Sequence, residues 1–106
     1  MQVKTRELKG SDLDYAVSLC EDVTFSPLRS SRHYYAPSTN WVHGGPLIER
    51  NGISVIRPEN KDGKPVWAAV QGYSKAIEGP TPLIAAMRCL VYAKLGDKVE
   101  MPEELR

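Results

Sequence analysis

The stretch Pro80-Thr-Pro-Leu-Ile-Ala-Ala-Met-Arg-Cys-Leu-Val-Tyr-Ala-Lys-Leu-Gly96 decides the fold. Thr81 is a candidate N-cap, Pro82 suits the first helical position, and Gly96 supplies the stop. From Leu83 to Leu95 the run is nearly all apolar, with Arg88 as its one charge before Val91. A helix that is apolar on most faces is buried on most faces. This stretch therefore predicts a central helix packed on a sheet.

Upstream, Ile53–Ile56 and Pro65–Gln71 read as two strands of a hairpin, joined by a turn-rich segment from Pro58 to Lys64 that contains Asn60, Asp62 and Gly63. Gly72 to Gly79 reads as a loop or a further short strand including Tyr73. Asn51-Gly52 ends a preceding helix. Thr39 or Asn40 can cap that helix at Trp41, but Gly44-Gly45 weakens its start, so a firm beginning is expected at Pro46. Residues 23–40 form a long loop, which in a small domain is either functional or disordered. Leu13, Ala16, Val17 and Cys20 predict an amphipathic helix over 12–22, with Ser11 and Asp14 as a weak capping box. Residues 2–6 alternate weakly as a short strand, and the tail 97–106 crosses the surface or pairs through Val99 and Met101. The order β-α-loop-α-β-β-α describes one α+β domain over 1–106, with a small antiparallel sheet packed against helices.

With 106 residues, 42% hydrophobic and 25% charged, the chain has room for one core. Fourteen basic against thirteen acidic residues give a net charge of +1, so the composition does not indicate a broad attraction to duplex DNA. Cys20 and Cys89 sit among apolar residues and read as reduced core thiols. They make no zinc site with His33 or His43, so no metal or cofactor is expected. The polar start carries no apolar signal region, and no run is long enough for a membrane span, so a cytoplasmic location is expected.

Three constellations could carry chemistry. Tyr34–Pro46 concentrates Tyr35 and Trp41, which can stack on a planar ring, with Ser38, Thr39 and Asn40, which can read polar edges, and His43 is a further candidate ligand-binding residue there. Gly44-Gly45 would let a ligand approach the backbone. The plainer alternative is a helix-entry loop with Trp41 as a core anchor. Second, Thr81, Ala85, Arg88 and Tyr92 share a helical face, and the small Ala85 leaves a gap for a ligand or phosphate between hydroxyl and guanidinium. Pro80 and Pro82 remove donors there, and a structural Arg88 is the alternative. Third, Arg29-Ser-Ser-Arg-His-Tyr-Tyr35 interleaves basic and aromatic side chains, Arg32 among them, as at nucleotide or single-strand contacts; a solvated loop is the alternative. Walker, Rossmann, nucleophile-elbow and zinc-protease patterns are all missing, so the chain reads as a non-enzyme.

Tyr35-Ala-Pro-Ser-Thr-Asn-Trp41, Gly44-Gly-Pro-Leu-Ile-Glu-Arg50, Gly79-Pro-Thr-Pro-Leu-Ile-Ala-Ala-Met-Arg88 and Lys94-Leu-Gly-Asp-Lys-Val-Glu-Met-Pro-Glu-Glu-Leu105, with the opening Val3-Lys-Thr-Arg-Glu-Leu8, resemble the NinX-like family of small tailed-phage and prophage proteins. Pro37-Ser-Thr-Asn-Trp41 and the Ala-rich helix with Arg88 are more loosely similar to the phage α-β-α sandwich domain. The resemblance implies a phage origin and an accessory role in the bacterial cytoplasm, and it carries no catalytic residues over. Three functions follow as expectations. The first is a homo-oligomeric binder of a small nucleotide-like ligand, such as a host immune signal, with a pocket between subunits. The others are a nucleic-acid accessory of phage recombination or replication, and a protein inhibitor of a host enzyme.

Overall fold

A computed structural model describes residues 1–73 and 75–103, with the backbone alone at 57–59. Ser74 and residues 104–106 of the predicted tail lie outside the described residues. The order is β1 (Gln2–Lys4), a 3-10 turn (Thr5–Glu7), α1 (Gly10–Glu21), a long loop, α2 (Trp41–Arg50), β2 (Ile53–Lys61), β3 (Lys64–Gln71), β4 (Ile77–Gly79), α3 (Pro82–Leu95) and β5 (Lys98–Glu100). It is an α+β fold, as the sequence predicts.

α3 is the centre. Thr81 Oγ1 accepts the Ile84 N–H at 3.1 Å, and Pro82 opens the helix. Leu83, Ala85, Ala86, Met87, Cys89, Leu90 and Val91 are all buried. They pack against β2–β3–β4 on one side and α1 on the other. Burying each large apolar side chain contributes roughly 1.5–3 kcal/mol. Both cysteines are free thiols. Cys89 is buried; Cys20 is half-buried, and burial pushes its pKa up to about 11.

β2, β3 and β4 form an antiparallel sheet in that order. The hairpin is longer than the sequence suggests. β2 continues through a bulge between Ile56 and Glu59, where Pro58 is tolerated, and the turn shrinks to Asp62-Gly63. Both turn residues have positive φ, 54° and 75°, the geometry of a two-residue hairpin turn whose twist matches the strands. Tyr73 is in the turn after β3 and fully exposed; the further strand is Ile77–Gly79. β1 and β5 pair separately, Val3 opposite Val99. Thr5 ties this ribbon to the end of α3: its N–H donates to the Asp97 carbonyl at 2.8 Å and its hydroxyl to the Gly96 carbonyl at 2.6 Å.

Three local expectations need correction. The first strand stops at Lys4, because residues 5–7 turn to let Thr5 reach α3. α1 begins at Gly10 with Lys9 as its cap residue, so Ser11 and Asp14 make no capping box; Asp14 turns inward instead. α2 begins at Trp41, not Pro46. Asn40 accepts the Val42 N–H at 2.9 Å and so starts the helix despite the glycines, leaving Pro46 inside it.

Candidate functional site

A groove of about 880 Å³ lies between the β1–β5 ribbon, the β3–β4 side of the sheet and α3. Lys4, Arg6, Lys64, Lys75, Arg88 and Lys98 line it, against the two acids Glu78 and Asp97. Six of the fourteen basic side chains thus face one groove with only two of the thirteen acids, and the rest of the chain is net negative. Near-neutral composition conceals this asymmetry, which concentrates positive potential where an anion would bind.

Arg88 forms part of the inner wall. Its Nε donates to the Leu8 carbonyl at 2.8 Å and one Nη to the Glu78 carbonyl at 3.0 Å. It therefore ties the chain after the 3-10 turn and β4 to α3, a structural role. A guanidinium has five N–H donors, and those not held by Leu8 and Glu78 have no protein partner among the described residues. Burial pulls its pKa below the ordinary arginine value, and the Glu7 carboxylate partly offsets this. The side chain stays charged. Tyr92, one turn further on, lines the same groove.

The remaining predicted residues do not join Arg88 and Tyr92. Thr81, Ser38, Thr39 and Trp41 line a separate, shallow pocket of about 240 Å³. The gap expected beside Ala85 is filled by β4: a Cβ on Gly79 would lie 2.6 Å from the Ala85 nitrogen. Thr81 spends its hydroxyl oxygen on the cap of α3. Gly44 is buried and serves packing, not ligand approach, since a Cβ there would lie 2.5 Å from the Pro37 carbonyl oxygen and 2.7 Å from Leu83. Trp41 is 56% exposed, so it is no core anchor.

Asn40 is occupied by its cap. His43 Nδ1 accepts the Ala36 N–H at 2.9 Å, and its ring lies 5.9 Å from Tyr34 and 5.5 Å from Tyr35. Burial, then the nearby Glu21 carboxylate, pushes the Tyr35 phenol up to about 12. This aromatic cluster fastens the long loop to α2. Arg32 is exposed in that loop and lines neither cavity. Tyr35 N–H donates to the Ser26 carbonyl at 3.2 Å and Ser26 N–H to the His33 carbonyl at 2.9 Å, so residues 26–35 are held by turn hydrogen bonds.

Sequence reasoning missed Lys4, Arg6, Lys64, Lys75 and Lys98. All five are exposed and read singly as solvated surface; Lys4 and Lys98 meet as strand partners, and tertiary packing puts the others along the same groove.

Residues 4–94 match the family described as Bacteriophage P22, NinX. The chain belongs to that family. It is accordingly a phage accessory protein, and the NinX match spans α1, α2, the three-stranded sheet and nearly all of α3. No curated protein matches the chain. No helix among the described residues is long and apolar enough to cross a membrane.

Proposed function

We propose that this NinX-family protein is a non-enzymatic binder of a small nucleotide-like anion, acting in the host cytoplasm to sequester a host immune signal. The groove carries the reading. Its volume of about 880 Å³ is of the size that encloses a small organic ligand, and its six cations suit phosphate. Tyr92 offers a ring against which a base can pack. The groove is built within one chain, so the between-subunit pocket expected from the sequence is not required for it. A homo-oligomer in which a second copy covers the groove is part of the proposal.

Calorimetry and thermal shift against cyclic nucleotides and ADP-ribose derivatives test the reading. Saturable binding by one member is expected, and no heat and no stabilisation by any member at millimolar concentration would overturn it. Arg88→Ala should weaken binding by more than about 1 kcal/mol, because a charge-assisted bond is lost. Sedimentation with and without ligand tests the second copy, and a monomer in both conditions removes that part.

A further inference from the structure

In the β1–β5 ribbon, Lys4 and Lys98 are register partners. Val3 and Val99 pair beside them and pack into the core, so the alternation of the strands turns both lysines to the opposite face. Side chains directly opposite in an antiparallel pair have Cβ atoms about 4.5–5.5 Å apart, and like charges placed so destabilise the pairing. The backbone holds this juxtaposition: the N–H of Thr5, next to Lys4, donates to the carbonyl of Asp97, next to Lys98, at 2.8 Å. Both lysines are exposed and line the groove, and so does Arg6. The Thr5 hydroxyl donates to the Gly96 carbonyl and the Leu8 carbonyl accepts from Arg88, so residues 5–8 are strapped along α3 with Arg6 on the strap. Lys4, Arg6 and Lys98 have no ion-pair partner among the described residues. Of the acids adjacent in sequence, Glu100 pairs with the Met1 amino group, Glu7 acts on Arg88, and Asp97 makes no ion pair among the described residues. Three cations are thus brought to one end of the groove by strand register and by the strap, and are left unpaired at a cost to the ribbon.

We propose that Lys4, Lys98 and Arg6 seat one phosphate group of the ligand, and that the ligand fastens the ribbon as it binds. A phosphate between the two lysines accepts charge-assisted hydrogen bonds from both strands and removes their repulsion. Tyr92 lies one helical turn, about 6 Å, before Gly96 and lines the same groove, so the part of the ligand next to the phosphate extends over its ring. Lys64, at the hairpin turn, and Lys75, before β4, take no part in the seat. This rests on the reading of the groove as a nucleotide-like site and assigns which of its cations hold the phosphate.

Calorimetry on the full chain, with the four ribonucleoside 5′-monophosphates and their nucleosides as probes, tests it. The best-bound monophosphate is expected to bind about tenfold or more tightly than its nucleoside. Lys4→Ala with Lys98→Ala is expected to abolish this preference, and Lys64→Ala to keep it. An unchanged preference in the double variant, or its loss in Lys64→Ala, overturns the assignment and leaves the nucleotide-like reading standing. Failure of all four monophosphates to bind wild type overturns the phosphate seat; failure of the cyclic nucleotides and ADP-ribose derivatives as well overturns both. Hydrogen exchange reads the ribbon directly. The Thr5 and Met101 amides, bonded to the Asp97 and Met1 carbonyls, are expected to exchange more slowly with saturating monophosphate in wild type and not in the double variant. No slowing in wild type overturns the fastening of the ribbon. Removing the repelling pair is expected to leave the melting temperature of the double variant at or above that of wild type, and a fall would overturn the premise that the opposition costs stability.

Discussion

The Oδ1 atom of Asp14, on α1, accepts a 2.8 Å hydrogen bond from the backbone N–H of Ser38, in the loop before α2. Both residues are buried, and the bond spans 24 positions of sequence. Burial pushes the Asp14 carboxyl above the ordinary aspartate value, against the opposing pull of Ser38 and of His43. An acid raised in this way gives the folded chain the greater proton affinity. Stability attributable to Asp14 therefore rises as pH falls through its folded pKa towards the ordinary value, and ionised Asp14 costs stability at neutral pH. Asp14→Asn keeps an acceptor for Ser38 and removes the charge, so it is expected to equal or exceed wild type at pH 7, with the advantage shrinking on acidification. Asp14→Ala strands the buried Ser38 N–H and should cost about 1–3 kcal/mol. Urea unfolding of the three proteins at several pH values checks this.

Glu21 has the opposite sign. Its burial raises the pKa, but hydrogen bonds from Lys94, at 3.0 Å, and from Arg50 outweigh it and hold the carboxylate below the ordinary glutamate value. Its contribution is present above the unfolded pKa and fades as pH falls through the folded one. Because both cations are largely solvated, Glu21→Gln is expected to cost only about 1 kcal/mol at pH 7. The difference from wild type should vanish in acid, as seen in pH-dependent melts.

Gly79 and Gly44 test the two close approaches. At Gly79 an added Cβ meets the backbone of Ala85, at 2.6 Å from its nitrogen and 2.9 Å from its Cα. At Gly44 the obstacles are a carbonyl oxygen and a movable Leu83 methyl. Both Gly→Ala substitutions are expected to destabilise, by about 1–3 kcal/mol as overpacking does. Gly79→Ala should be the worse, since helix backbone yields least. Chemical denaturation ranks them.

Arg88 bridges two carbonyls that a lysine cannot reach together. Arg88→Lys is expected to lose about 1 kcal/mol of fold stability while keeping measurable anion binding, and Arg88→Ala to lose about 2 kcal/mol together with most of the binding. Melting curves and titrations on the same samples separate the two roles.

Trp41 is predicted to be dispensable to both. Its exposure implies a stability change in Trp41→Ala of less than about 0.5 kcal/mol. It lines the shallow pocket and not the basic groove, so it should leave affinity in that groove unchanged. A substantial loss in either measurement would contradict the placement.

The parts legible in sequence were those governed by local rules. Thr81, Pro82 and Gly96 bound α3, and the apolar run between them announces a buried helix. Arg88 and Tyr92 are legible as neighbours because four-residue spacing is a helical property, and both line the groove. What failed was tertiary. Asp14 lies where a capping partner should, yet it is drawn inward by a backbone donor far along the chain. Thr81 and Arg88 share a face, yet Gly79 backbone comes between them. The lysines of the groove gave no signal, because nothing local in Lys4 or Lys98 states that they are strand partners.

That ribbon has a kinetic consequence. Lys4 and Lys98 meet only when segments almost a full chain length apart are brought together, whereas β2, β3 and α3 assemble from sequence neighbours. Long loops close late, so the ribbon docks after the hairpin and helix are in place, and it is the first piece to peel away. A molecule gripped from both sides must then leave before unravelling can begin. Its signature would be a slowed unfolding arm with the refolding arm unmoved.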